Sequence, residues 1–444
     1  MELEKLLCMK IRFRMIYLVL LDFTIRGTAI TAVAQTPAGI FRADALTYRY
    51  YLEQKWDSLT DAGKTFLRDG IDFYYLRMRI GIAYYEKHKY SHAIPHFRKA
   101  LQFDSSSQVA MEYLYYSYLF LNRDMDAHLT GTYLSTGTQE RLGIQPRFIS
   151  GVSTDYTYRT FRPEPYSFPL SDAPEGKQQM PEQMHNLNLT FTQFVGRRVR
   201  LIHSLTNFKQ QSTYYEKTSA KDYLFTSWLN QYQYYLNFSI CPLPSFKISA
   251  WGHYIYLHYP YVFERYSNRT QILYTSENDY LAGVSAKLTS RFITIDYTYN
   301  QAWFFSLHTQ QHTVGIETYP LGNLNLYITY NLNFVKQNLE NNFYSIQQIS
   351  AGLKMTSKCW SEIGFSKGKM YNFSDAMGYI VYNQENPYTL LVHAKLYFVP
   401  SSRWSIYMKG SFLRGESRFT SSQLIMNQIK FTSYSITGGI SWKL

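Results

Sequence analysis

Residues 323–335 read NLNLYITYNLNFV, and the parity of this stretch is what decides the fold. Leu324, Leu326, Ile328, Tyr330, Leu332 and Phe334 share one parity; Asn323, Asn325, Thr329, Asn331 and Asn333 share the other. Successive side chains of an extended strand point to opposite faces, so this is a strand with one apolar and one polar face. In a soluble sandwich the apolar face would rest on a second sheet. In a closed barrel within lipid the faces are exchanged, with apolar residues outward and asparagines toward a wet interior. The rest of the chain has to choose between the two.

Composition leaves the choice open. At 444 residues the chain exceeds one ordinary domain, so at least two units are expected. Aromatics make up 18% of it, with 43 Tyr and 29 Phe. The mean hydropathy of −0.31 looks soluble, but strands that alternate polar and apolar positions average out in the same way. The formal charge of +13 is spread along the chain rather than gathered in a block, which sets nucleic acid aside as a partner.

The first residues read as a secretory leader. Lys10, Arg12 and Arg14 precede an apolar run at 15–21, and Ala32, Val33 and Ala34 form a small-residue cleavage site, which predicts a signal peptide over 1–34. The run is far shorter than the ~20 residues a spanning helix needs. Cys8 lies before it, and the parities of Cys241 and Cys359 place them on unlike faces of their strands, so no disulfide is expected.

Residues 40–135 carry helical periodicity. Within 71–105, Gly81 and Ala93 are small where two antiparallel helices would cross, Tyr84, Tyr90 and Phe97 fill the space between them, and Ala100 follows on the second helix. This pattern resembles a tetratricopeptide repeat. Flanking Ala- and Tyr-rich helices suit a stack that needs about three pairs to cover its faces. The resemblance implies a surface that binds a protein partner, not catalysis. Ser91 is the expected cap of the second helix, which would put Pro95 in its first turn. His88, His92 and His96 have a spacing that could hold a metal, yet no carboxylate or cysteine completes a set, so they read as a solvated face and no metal is assigned. Residues 136–145 have too few apolar positions to set a period and read as a linker.

From 146 to 444 the alternation recurs to the last residue. It gives fourteen strands: 147–159, 184–196, 199–211, 222–241, 245–263, 279–289, 291–303, 309–319, 323–336, 344–356, 359–372, 386–399, 403–417 and 428–443. Short turns at 196–198, 242–245, 289–291, 321–322, 356–358 and 400–402 alternate with longer connections at 161–183, 211–221, 264–277, 374–385 and 420–427, with 304–308 and 337–342 modest among the latter. That alternation is the habit of an antiparallel barrel with tight periplasmic turns and larger outer loops. An even strand count returns both ends of the barrel to the short-turn side, which puts the helical segment in the periplasm. Strands this long exceed the roughly 5–6 residues usual in a sandwich. Tyr232, Tyr234, Tyr254, Tyr256, Tyr297, Tyr299, Tyr330, Tyr434 and Trp442 lie on the outward parity, as an aromatic belt requires.

The fold expected is therefore α+β, with N-terminal helical hairpins followed by a C-terminal antiparallel transmembrane barrel of about fourteen strands. Thr437, Gly439, Trp442 and Leu444 have the spacing of the last strand of bacterial outer-membrane barrels, which resembles the signal read by the insertion machinery; Leu444 stands where Phe is usual. Helical repeats followed by a barrel resemble the architecture of exopolysaccharide-export porins and related envelope barrels. The short helical arm points away from secretion of a long polymer.

On the inward parity the charges are Lys247, Lys287, Lys354, Lys395, Lys409 and Lys443 against Asp296, Glu317 and Glu362. Most of these lysines fall near the short-turn mouth. There they either reach water and anionic head groups or concentrate anionic solutes. The remaining Asn, Gln, Thr, Ser and Tyr suit a sugar or a hydrated plug. Three functions follow: transport or export with a periplasmic docking arm; a non-conducting scaffold that recruits partners through that arm; and, last, a hydrolase using His203, Ser204, His253 or His393, whose spacing commits to no triad. No catalytic residue and no cofactor is assigned. The partners expected are outer-membrane lipid, the insertion machinery, a periplasmic protein and an anionic or sugar solute.

Overall fold

The computed structural model describes residues 37–144, 148–163, 175–218, 221–265, 269–305, 307–338, 342–384, 386–401, 403–421 and 424–443. The expected leader, its cleavage point after Ala34 and the terminal Leu444 lie outside the described residues. The chain forms two compact units, Met1–Ile80 and Gly81–Leu444, and the boundary falls inside a helix.

In the first unit, α1 (Pro37–Leu52) and α2 (Trp56–Arg68) are followed by the first half of α3 (Tyr74–Glu86). Ala43, Leu59, Leu76 and Ile80 are fully buried, and Gly63 lets Ile80 approach the α2 backbone. Arg79 reaches back to Asp44 at 2.7 Å and to the Thr47 hydroxyl, so a guanidinium in the helix interface keeps its partners.

The second unit continues with α4 (Tyr90–Phe103), α5 (Gln108–Leu119), α6 (Asp124–Gly131) and α7 (Thr136–Leu142). Gly81 faces the Phe97 ring so closely that any side chain there would strike it. Ala93 and Ala100 are buried beside Phe97, Phe97 stacks on Tyr113, and Tyr90 packs on Phe120. Tyr84 takes His92 and His96 against its face at 5.1 and 5.6 Å, so these histidines are ring partners within the helical pair and not a solvated face.

Two expectations change here. The helix begins at Tyr90 after Lys89, so Pro95 is an interior residue and Ser91 does not cap; its N–H is engaged by another part of the chain. The stretch read as a linker contains α7, started by the Ser135 hydroxyl and stopped by Gly143 at φ 68°. Two caps suffice to set a helix of that length where periodicity is too short to see.

The barrel strands are β1 (Gly151–Pro163), β2 (Gly176–Val195), β3 (Val199–Lys217), β4 (Asp222–Leu243), β5 (Phe246–Arg265), β6 (Arg269–Thr289), β7 (Ile293–Phe304) and β8 (Leu307–Thr318). They continue with β9 (Leu326–Gln337), β10 (Tyr344–Lys354), β11 (Cys359–Met370), β14 (Tyr388–Phe398), β15 (Trp404–Ser421) and β16 (Leu424–Lys443). Between β11 and β14 lie two short strands, β12 (Phe373–Asp375) and β13 (Ile380–Tyr382). Fourteen strands close antiparallel, β1 pairing with β16 from Gly151↔Lys443 onward. Closure leaves no open edge, which backbone groups in lipid require.

The opening stretch keeps its parity but starts later: β9 begins at Leu326, because Asn323 turns away to bond elsewhere. The outer connections are also not loops of the expected length. Pairing continues to Lys217↔Asp222, Arg265↔Arg269 and Ser421↔Leu424. Toward the hairpin ends strict alternation breaks, with a polar run at 209–213 and an apolar one at 261–263, while the backbone ladder persists.

One sheet forms the whole wall, and among the described residues no second sheet covers its outside. Tyr232, Tyr254, Ile436 and Trp442 face outward and are exposed, whereas Ser249, Asn333, Gln311 and Thr437 face inward and are buried. The sandwich is excluded on this point.

Candidate functional site: an inner hairpin and a capped mouth

The segment expected as an outer loop at 374–385 folds back into the barrel as the β12–β13 hairpin. It meets inward-facing wall residues near its own roots, where Tyr382 packs on Tyr388, and on strands across the lumen. Gln311 brackets Ser374, donating to its carbonyl at 2.8 Å and accepting from its N–H at 3.1 Å. Gln348 donates to Asp375 at 2.9 Å, and Asn383 donates to Asp279 at 2.8 Å. At the tip, Tyr235 donates to the Met377 carbonyl at 3.1 Å and His253 Nδ1 donates to the Gly378 carbonyl at 2.7 Å. The Tyr379 hydroxyl reaches Thr190 and Ser204. A segment rooted at β11 and β14 thus touches β2 to β6 on the facing wall and spans the lumen.

The tip holds an uncommon backbone. Ala376, Met377 and Gly378 follow one another at φ 50°, 56° and 78°. For the two residues with a Cβ the left-handed region costs about 1–2 kcal/mol each, which the wall contacts must offset. Gly378 is required twice, by its φ and by the Trp251 indole lying against it.

The interior is layered. Toward the long-hairpin end, Phe161, Met184, Val335, Met370, Phe373 and Phe431 are among the members of a buried apolar cluster. Ser, Thr, Asn and Gln line the middle together with Asp279, and most of the charges singled out from the sequence lie nearer the short turns. The nine residues singled out on the inward parity all lie on inward faces, eight of them in two groups. Lys287 pairs with Glu317 at 3.3 Å and stands opposite Asp296 in register, with Lys247 on its other side. Glu362 stands opposite Lys395, accepts from Tyr327 and meets His393 at 3.5 Å. The Lys395 ammonium sits between the Tyr397 and Tyr407 rings at 4.2 and 4.1 Å, opposite Lys409, and Lys354 lies over Trp360. Lys443 ends β16 and is exposed. These charges are largely engaged with carboxylates and ring faces, so they do not form one ring of free ammonium groups.

Inward rings rest on glycines of the next strand: Tyr327 on Gly352, His393 on Gly364, Trp251 on Gly283 and Tyr407 on Gly439. Gly439 therefore has a packing reason to lack a side chain. Thr437 bonds Thr157 across the closing seam, and Trp442 stacks outward on Trp404.

At the short-turn end the helices rest on four consecutive turns. His128 stacks on Phe194 at 3.9 Å and donates to the Gly196 carbonyl. Asp126 accepts from the Ser245 N–H at 2.8 Å, while Arg123 bonds both Asp126 and the Ser245 hydroxyl. His92 packs on Phe292. Ser91 N–H donates to the Gly322 carbonyl, and Asn323 donates to the carbonyl of His88.

The residues considered for hydrolysis are not brought together. His203 faces outward against Tyr234, its neighbour Ser204 faces inward, His253 holds the hairpin, and His393 sits with Glu362. Sequence reasoning missed Tyr235, Trp251, Gln311, Gln348 and the 376–378 tip. An inward Gln or Tyr reads as lining, and nothing in the sequence says that a loop comes in to meet it.

No protein-family model and no curated protein matches this sequence. Among solved structures, a TodX mutant, described as a monoaromatic hydrocarbon channel, covers 68% of this chain and 92% of its own at 10% identity and TM-score 0.46. The Ralstonia pickettii toluene transporter TbuX covers 68% and 91% at 9% identity and TM-score 0.43. A MamA mutant covers 22% of this chain and 73% of its own at 21% identity and TM-score 0.21. The geometry itself sets the class. A single closed sheet of fourteen antiparallel strands with an apolar outside and a polar inside is an outer-membrane β-barrel.

Proposed function

We propose that this protein moves a small solute across the outer membrane through a barrel that rests closed. A leader at 1–34 would send the chain to the envelope. The helical segment would lie in the periplasm as a tetratricopeptide-like docking arm.

The observation that carries this reading is the nature of the obstruction. A lumen sealed for good would be filled by side chains from every wall. Here the middle is crossed by one tethered segment whose tip is strained and is held by single hydrogen bonds, each worth about 1 kcal/mol net. The tip can leave the facing wall at modest cost, whereas moving the whole hairpin also breaks the Gln311, Gln348 and Asn383 bonds and takes Phe373 out of the apolar cluster.

The scaffold reading is favoured by a different observation, the buried apolar cluster at the long-hairpin end, which looks like a permanent core. Swelling of liposomes in small sugars or amino acids separates the two. Vesicles carrying a variant with 372–386 replaced by a short Gly/Ser linker should swell readily, and those carrying the native chain slowly. No swelling with the folded variant would favour the scaffold.

A further inference from the structure

We infer that the chamber between the loop entering α6 and the inner wall at the short-turn end is a binding site for a small oxyanion. Its volume is about 260 Å³, and Arg123, Asp124, Arg200, Lys247, Lys287 and Glu317 contribute to its lining. This deepens the transport reading by naming the solute class, and it rests on that reading only for the claim that the anion is cargo.

The bookkeeping of charge leads there. Arg123 is committed to Asp126 at 2.8 Å, and Asp126 also holds the Ser245 N–H. Lys287 has Glu317 at 3.3 Å and faces Asp296 across the β6–β7 ladder. Two cations remain. Arg200 has only Asp124, at 4.0 Å and with that carboxylate 38% exposed, and its buried Nε has no hydrogen-bond partner among the described residues. Lys247 forms no ion pair or hydrogen bond among the described residues, and it stands directly opposite Lys287 on the neighbouring strand. Like charges directly opposite in a ladder repel, and a buried guanidinium nitrogen without an acceptor is costly. An oxyanion in the chamber answers both at once. Its several oxygens accept from the Arg200 fork and from the Lys247 ammonium. The site also lies where the lumen meets the cap, which is where a solute arriving from the wall strands would pause.

The test uses the full chain folded in detergent micelles, with inorganic phosphate as the probe. Calorimetric titration should show saturable binding, with the unfolding midpoint rising with phosphate concentration. Lys247→Met should weaken binding by about ten- to a hundredfold, whereas Lys217→Met, at the long-hairpin end of β3, should leave it unchanged. Heat-modifiable migration checks that each variant is folded. If Lys247→Met fails that check, Lys247→Arg and Arg200→Lys replace it, the first expected to retain binding and the second to weaken it. Absence of saturable binding by the native chain, or equal affinity in a folded Lys247→Met or Arg200→Lys variant, overturns the site. Phosphate uptake into vesicles is measured separately. Binding without uptake, even with 372–386 removed, keeps the site and removes the transport reading. Uptake without binding removes the site alone.

Discussion

His253, on the inner face of β5, holds the carbonyl oxygen of Gly378 at 2.7 Å, so the tip of a segment that leaves the wall at β11 is fastened across the lumen. The acceptor is backbone, so the bond depends on the fold of the tip and not on the identity of its side chains. Tyr235 makes the neighbouring bond to Met377 in the same manner.

Loosening that grip should favour the displaced hairpin. Loss of one buried neutral hydrogen bond is worth about 1 kcal/mol, or roughly a fivefold change in the ratio of displaced to seated hairpin. His253→Ala is expected to raise the frequency of channel openings by about that factor, and Gly378→Ala, which meets both the positive φ and the Trp251 ring, should act in the same direction. Unchanged opening in both would show that the tip contacts do not hold the closed state.

Gly439 predicts a paired result. A side chain there collides with the Tyr407 ring on the adjacent strand, and overpacking of this kind costs about 1–3 kcal/mol. Gly439→Val should lower the folded fraction seen by heat-modifiable migration. Tyr407→Ala should restore it in the double variant if packing is the cause; failure to restore would point to recognition during insertion instead.

Docking of α6 should depend on pH. Burial lowers the His128 pKa from the usual 6.5, with the Gly196 carbonyl pulling the other way. The docked imidazole therefore binds fewer protons than a freed one. Docking is at full strength above the free value and weakens as pH falls from 6.5 toward the lowered docked value. Protection factors over 124–134, that is exchange rates corrected for the pH dependence of intrinsic amide exchange, should be lower at pH 5 than at pH 7.5, and His128→Phe, which keeps the stack on Phe194, should remove the difference.

Asp126→Ala should release the cap more strongly. It strands Arg123, whose side chain is 12% exposed, and leaves the Ser245 N–H without its acceptor at φ 76°. Breaking a buried pair costs about 3 kcal/mol, roughly a hundredfold in the undocked population. Exchange in 120–134 should rise while the barrel strands keep their protection.

The wall was legible because a closed barrel in lipid imposes one rule on every strand. Parity placed Asn333 inward and Ile436 outward, and the strand count followed from the turns. The ends were harder: Lys217 and Arg265 still pair in ladders where polar and apolar residues no longer alternate strictly, so the signal stops before the strand does. The hairpin was illegible for another reason. Ser374, Asp375 and Gly378 have the composition of an exposed loop, and only the match of their backbone to Gln311, Gln348 and His253, distant in sequence, brings them inside. Ser91 and Asn323 likewise read as a helix cap and a strand residue, yet both are spent in joining helix to turn.

Single-channel recording in planar bilayers tests the closed lumen most directly. The native chain should show rare, brief openings, and the chain with 372–386 replaced by a short linker should show a steady conductance of larger size. Equal currents from the two folded proteins, whether both open or both sealed, would contradict the assignment of the hairpin as the closing element.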